Sequence, residues 1–142
     1  MSRDLKSKNS AAPFTEAEAW RDVGGGWQPL FGSFRGAGYS IEWHDFFAKR
    51  EFDWAASFHP GCVELCLNLD GHGFVENDGQ RTEFTPNTAG FYHRKDKPLM
   101  AKRSANEQHQ FLTVEFSCPF LAKHLAGTEA VLHPIVRAAI EN

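Results

Sequence analysis

Four side chains able to do chemistry stand out along this chain: His59, Glu64, His93 and His109. Two imidazoles and a carboxylate on neighbouring strands would suit iron, manganese, nickel or zinc, with His109 as a fourth ligand. An open coordination position there would permit catalysis. Each residue also has a plainer role: His59 stands beside Pro60-Gly61 and serves equally to cap a turn, and Glu64 on an outward face is a solvated carboxylate. The second reading is an organic pocket, and it is preferred over the metal. Trp43, Phe58, His59, Glu64, Cys66, Tyr92, His93, His109 and Phe111 are the apolar walls and few polar groups by which proteins orient a small molecule. His59 and Glu64 together suit a hydroxylated or amine-bearing ligand. For any single ring among them the alternative is plain core.

Other chemistries find less support. Cys62 and Cys66 flank Glu64 at two positions either way, but no adjacent His orders a nucleophilic triad. No Gly-rich loop follows a strand and opens a helix, as a phosphate site requires; Gly24-Gly25-Gly26 reads as a linker. The three cysteines form no even framework and no C-x-x-C pair, which reads as buried or half-buried thiols in a reducing cytosol. Net charge is −3 over 142 residues, and the basic residues are scattered. The nearest patch, Arg94, Lys95, Lys97, Lys102 and Arg103, reads as charged hairpin tips rather than a phosphate-binding surface. Nothing resembles a signal peptide or a membrane span, so the expected setting is cytoplasmic, with no membrane or nucleic-acid partner for this chain alone.

The elements that must position these residues are strands. Tyr39, Ile41 and Trp43 alternate with Ser40, Glu42 and His44. Val63, Leu65, Leu67 and Leu69 alternate with Cys62, Glu64, Cys66 and Asn68, and Leu112, Val114 and Phe116 alternate with Phe111, Thr113 and Glu115. Period two over several residues places the two sets on opposite strand faces. Turn signals separate the runs: His59-Pro60-Gly61, Asp70-Gly71-His72-Gly73, Thr85-Pro86-Asn87, and Asn77-Asp78-Gly79, which predicts a hairpin between 73–76 and 80–84. Thirteen Phe and four Trp against two Met favour the same β-rich body. Residues 1–13 read as a disordered tail, and Thr15-x-x-Glu18 as the capping box of a short helix ending at the glycines. After the strands, helices are expected over 119–126, closed by Gly127, and from His133-Pro134 onward. The last still carries Ile135, Val136 and Ile140 at the terminus, which predicts that the sequence continues.

Two segments resemble the halves of the cupin signature. Ser57, His59, Glu64 and Gly71 keep the spacing of the first half, with Ser in place of its first His. Pro86, Gly90 and His93 follow the second, with two extra residues after Pro86 and Lys97 where an Asn is usual. More specifically, Phe58 to Gly73, Phe84 to His93, and Ala101-Lys102-Arg103 with Gln108 to Ser117 resemble the sensor domains of AraC-type transcription regulators. The likeness covers roughly 39–141. It implies an all-β, cupin-like jelly-roll or double-stranded β-helix barrel, with a short N-terminal helix and two C-terminal helices. The domain so implied is a sensor over 14–117, followed by link or dimerisation helices over 118–142, with the helix-turn-helix DNA-binding half absent. The expected activity is effector binding without catalysis, the effector being a small molecule with sugars among the candidates. No cofactor is expected. A homodimer would form through Leu121, Leu125, Leu132, Ile135, Val136 and Ile140, unless those residues cover the barrel's own open side. The rival is a metal-dependent cupin enzyme of isomerase or dioxygenase type using His59, Glu64 and His93.

Overall fold

The computed structural model describes residues 19–94 and 99–141. The expected tail, the capping box and two of the patch lysines lie outside the described residues. The chain enters through a 3-10 turn at Arg21–Val23, closed by left-handed Gly24. Among the described residues nine strands follow: β1 (Trp27–Ser33), β2 (Tyr39–Ala48), β3 (Phe52–Asp53), β4 (Cys62–Asp70), β5 (Gly73–Asn77), β6 (Gln80–Phe84), β7 (Thr88–Arg94), β8 (Met100–Arg103) and β9 (Glu107–Ser117). They form two antiparallel sheets, ordered β1-β2-β9-β4-β7 and β3-β8-β5-β6. The architecture is the expected all-β, cupin-like barrel. A four-residue helix α1 (Phe34–Ala37) and a 3-10 turn at Ala55–Ser57 were not anticipated.

The predicted hairpin forms. Asn77 pairs with Gln80 across Asp78-Gly79, whose φ angles of 49° and 77° make the two-residue turn that fits right-twisted strands. The alternation also forms, and the structure fixes its sense. On β2 the inward set is Ser40, Glu42, His44, Phe46 and Ala48; on β4 it is Cys62, Glu64, Cys66 and Asn68; on β9 it is His109, Phe111, Thr113 and Glu115. The apolar sets Ile41/Trp43 and Leu65/Leu67/Leu69 face outward, partly or fully exposed. One core lies between the sheets, built from Phe46, Cys66, Tyr92 and Phe111 of the larger sheet and Phe52, Val75, Phe84 and Ala101 of the smaller.

Both C-terminal helices form as expected. Ser117 caps α2 (Cys118–Leu125) by accepting from the Phe120 amide, and α3 (Pro134–Glu141) opens on its proline. Their apolar residues Leu121, Leu125, Ile135, Val136 and Ile140 pack on Val63, Phe91 and Phe116 of the larger sheet's outer face. Five of the six residues named for a dimer contact, all but Leu132, thus pack on the barrel's own side. Among the described residues, no helix is long and apolar enough to cross a membrane.

Candidate functional site

The centre of the barrel, expected to be a ligand pocket, is packed. Trp20, from the segment before β1, inserts between the sheets, its ring 4.4 Å from His44 and 5.6–6.3 Å from Phe46, Phe52, Trp54 and Phe111. Phe58, Cys66 and Phe111 are sealed within this ring cluster, so they are core rather than pocket wall. His44 is sealed there too, its Nε2 2.9 Å from the Thr113 hydroxyl and its ring stacked on Phe111. Burial first, and then Arg103, pushes its pKa down to about 3, so it stays neutral.

At the other end of the inner face the polar residues gather. The register places Ser40, Glu115, Glu64 and Tyr92 in one row across β2, β9, β4 and β7, and Glu42, Thr113 and Cys66 in the next. Glu42, Glu64 and Glu115 are all buried. Glu42 accepts from the Trp27 indole at 2.6 Å. Glu115 accepts from the His59 amide at 3.2 Å and lies 3.1 Å from His59 Nδ1. A carboxylate accepts only, so Nδ1 carries the ring proton in this pair. Arg94 donates to the Phe58 carbonyl at 2.5 Å. Burial, with Glu64 as the next contribution, holds the Tyr92 phenol protonated, and burial with Glu115 and Glu64 pushes the Cys62 thiol up.

This polar band opens to solvent beside α1. A cleft of about 280 Å³ is lined by Trp27, Ser33, Phe34, Ser40, Glu42 and His59, with Pro29, Phe31, Gly32 and Arg35 completing its rim. The Phe34 ring lies flat on His59, 4.0 Å between centroids. Phe34 sits there because Ser33 caps the one-turn helix and left-handed Gly38 ends it. At Gly38 a side chain would run into Phe120. The arrangement can hold a polar group beside the Glu42 carboxylate inside an aromatic collar, and its carboxylate-held imidazole is the residue type that relays protons.

The structure therefore brings together some expected site residues and separates others. His59 and Glu64 share the polar end of the barrel. Trp43 faces outward on β2, because it is out of phase with Glu42 and His44. His93 also faces outward: its neighbour Tyr92 points in, and adjacent strand residues take opposite faces. Its Nε2 lies 3.6 Å from Cys118 Sγ, beside the C-terminal helices. His109 is inside but engaged at both nitrogens, accepting from Arg103 Nε at 3.0 Å and facing the Ser104 carbonyl at 2.8 Å. The set His59, Glu64 and His93 does not fit a metal, and among the described residues no three His, Cys, Asp or Glu side chains group to hold one. Ser40, Glu42, Glu115 and Trp20 were missed as determinants of the site. Glu42 and Glu115 were detectable by parity, each standing in phase with inward ring residues of its own strand.

No family model matches the sequence, and no curated protein matches it. Among solved structures, the cupin_2 domain of an XRE family transcriptional regulator from Enterobacter cloacae is 16% identical, with 63% of this chain and 93% of that one covered, at a TM-score of 0.48. An HTH_3 family transcriptional regulator from Vibrio cholerae is 18% identical over 65% of this chain and 51% of its own, TM-score 0.49. Ectoine synthase from P. lautus is 19% identical over 67% of this chain and 64% of its own, TM-score 0.46. The matched part thus spans about half of the Vibrio chain and under two thirds of the synthase. An enzyme among these neighbours corrects the expectation of a non-catalytic chain, because the fold itself does not separate binding from catalysis. What the chain is similar to, at the level of fold, is the cupin-domain protein, of both regulator and enzyme type.

Proposed function

We propose that this chain is a ligand-sensing cupin domain of an AraC-type transcription regulator, and that its effector sits in the cleft at the barrel mouth rather than at the barrel centre. The observation that carries this reading is the opening of the cleft onto Ser40, Glu42 and His59, all buried at the end of an otherwise ring-filled interior. A carboxylate, a hydroxyl and an imidazole buried at an aromatic-walled opening are the few polar groups by which a pocket orients a small molecule. The cleft is also wired to the C-terminal helices. Glu115, which holds His59, precedes by two residues Ser117, the cap of α2. A ligand that binds two arrangements of β9 unequally shifts their populations, and the helices carry that bias onward. The resemblance of the three segments to AraC-type sensors supplies the regulator.

The test is thermal shift with a panel of sugars, polyols, amines and small carboxylates, on wild type and Glu42→Gln. A true effector at a hundredfold excess over Kd stabilises by about 2.7 kcal/mol, an effect the variant weakens. A panel without any stabilising compound, or hits indifferent to Glu42, sinks the reading. A second reading rests on the His59–Glu115 pair: an imidazole fixed by a carboxylate is the general base of a proton-transfer enzyme. Turnover of a bound hit, abolished by His59→Ala, would establish it.

A further inference from the structure

β6 and β7 each end their sheet, and among the described residues no ladder joins them. In the seam between them lies a cavity of about 290 Å³ that shares no lining residue with the mouth cleft. Phe91, Tyr92 and His93 all border it. Side chains of consecutive strand residues alternate, so three in a row border one cavity where the strand turns its backbone edge toward it. The Asn77 side-chain amide shows which groups that edge presents. It donates to the His93 carbonyl, as a neighbouring strand would. In an antiparallel ladder the N–H and C=O of one residue point to the same side, and every second residue shares that side. Phe91, two before His93, therefore turns its N–H and C=O into the seam, away from β4.

We infer that this seam is a second ligand site, and that its ligand is a flat, uncharged molecule with an N–H beside a C=O, of the lactam or imide kind, paired with the Phe91 backbone. The fit is one of geometry. The N–H and C=O of one extended residue lie side by side, a donor next to an acceptor. A lactam carries the same two groups in complementary order on one rigid edge, so both hydrogen bonds form without ordering a chain. A carboxylate offers acceptors alone and an ammonium donors alone, and each leaves one backbone group unmet. The walls suit a flat body. Val75 and Tyr92, from the core between the sheets, lie on the inner side. Ile135 and Ala138 of α3 close the outer side, where the helix packs on the larger sheet. From β6 the cavity meets the uncharged Gln80 and Thr82, while the charged Asp78 is exposed at the hairpin tip. The volume suits a molecule of one or two rings, just below the range of about 300–1,000 Å³ usual for larger ligands. An occupant also touches α3, and so fastens that helix to the β5–β6 hairpin.

The experiment titrates the whole chain with oxindole, a two-ring lactam, and with N-methyloxindole, which keeps the rings and the carbonyl but lacks the donor. Binding is followed by amide NMR. Oxindole is expected to shift the Phe91 amide and those of α3, and to leave the Trp27 and Ser40 amides of the mouth cleft in place. N-methylation should weaken binding about tenfold, the value of one hydrogen bond lost with the Phe91 carbonyl left unmet. Ala138→Leu, at a partly exposed position of α3, fills the outer wall and should abolish binding. Should that variant misfold, the Phe91 shift and the comparison of the two compounds in wild type still decide. Equal binding of the two compounds, or oxindole binding unmoved in a folded Ala138→Leu variant, overturns the assignment. Shifts confined to the mouth cleft overturn it while supporting the cleft as a ligand site, and no binding of oxindole at millimolar concentration overturns it outright.

Discussion

Glu64 and Glu115 stand directly opposite each other on β4 and β9, inside the barrel, at 3% and 2% exposure. Like charges so placed oppose pairing, and what holds Glu115 in position is His59, through its amide and its ring. Glu115→Gln keeps an acceptor for His59 and removes the facing charge, so its stability should lie within about 1 kcal/mol of wild type. Glu115→Ala leaves a buried amide and ring N–H without an acceptor and should cost about 2–3 kcal/mol. Urea unfolding of the two variants decides it. Equal losses would mean that the bonds to His59 are not what Glu115 contributes.

Acid should unfold this protein partly through His44. Its folded pKa is lowered to about 3 from an ordinary 6.5, so the unfolded chain takes up the proton first. The stabilising contribution is therefore complete above pH 6.5 and is lost as the pH falls toward 3, with a slope of about 1.4 kcal/mol per pH unit from this residue. His109, lowered by burial, adds to the same slope. His44→Phe keeps the ring contacts with Trp20 and Phe111 and should flatten the loss measured by urea unfolding between pH 6 and pH 4. An unchanged slope would clear His44 of the effect.

The strands, the Asp78-Gly79 hairpin and both C-terminal helices were legible in the sequence, because each rests on local rules: parity, turn chemistry and caps. Which face of each strand points inward was not. Ile41, Trp43, Leu65 and Leu67 look like the buried set, yet Glu42, His44, Glu64 and Cys66 occupy it, since their partners lie on strands distant in sequence. Adjacent strand residues take opposite faces, so of Tyr92 and His93 only Tyr92 joins the inner row with Glu64. The plug was beyond reach for a different reason. Nothing local to Trp20 says that it enters a barrel whose walls lie up to 91 residues downstream, at Phe111.

Trp20 should behave as that plug. Trp20→Ala removes the ring around which His44, Phe46, Phe52, Trp54 and Phe111 pack, and large-to-small changes of this kind cost about 3–5 kcal/mol. The hollow left is apolar and ring-lined, and free indole should refill it, raising the Tm of the variant but not of wild type. A small loss of stability with no response to indole would show that the barrel closes without Trp20.

Arg103, wholly buried, ties the far end of the barrel together. It donates to Asn68 Oδ1 at 2.7 Å, to the Asp70 carbonyl at 3.1 Å and to His109 at 3.0 Å, and its guanidinium lies 4.2 Å from the centre of the Phe111 ring. Lysine cannot reproduce a planar fork that serves three acceptors and stacks on a ring. Arg103→Lys should therefore cost about 2–4 kcal/mol in urea unfolding, despite keeping the charge. A loss of only a few tenths would show that charge, not geometry, is what the site requires.

The cysteines report on packing. Cys62 and Cys66 are sealed on the inner face, and burial drives both thiols up, assisted by Glu115 and Glu64 for Cys62 and by Glu64 for Cys66. Cys118 is half-buried at the start of α2, and burial raises it as well. The thiolate is the attacking species, so exposure and ionisation must coincide for reaction. With Ellman's reagent near neutral pH, the native protein should show one slow thiol, lost in Cys118→Ser, and all three only on unfolding. Fast reaction of a second thiol in the native state would mean that the inner face of β4 opens to solvent, and the sealed interior described above would have to be given up.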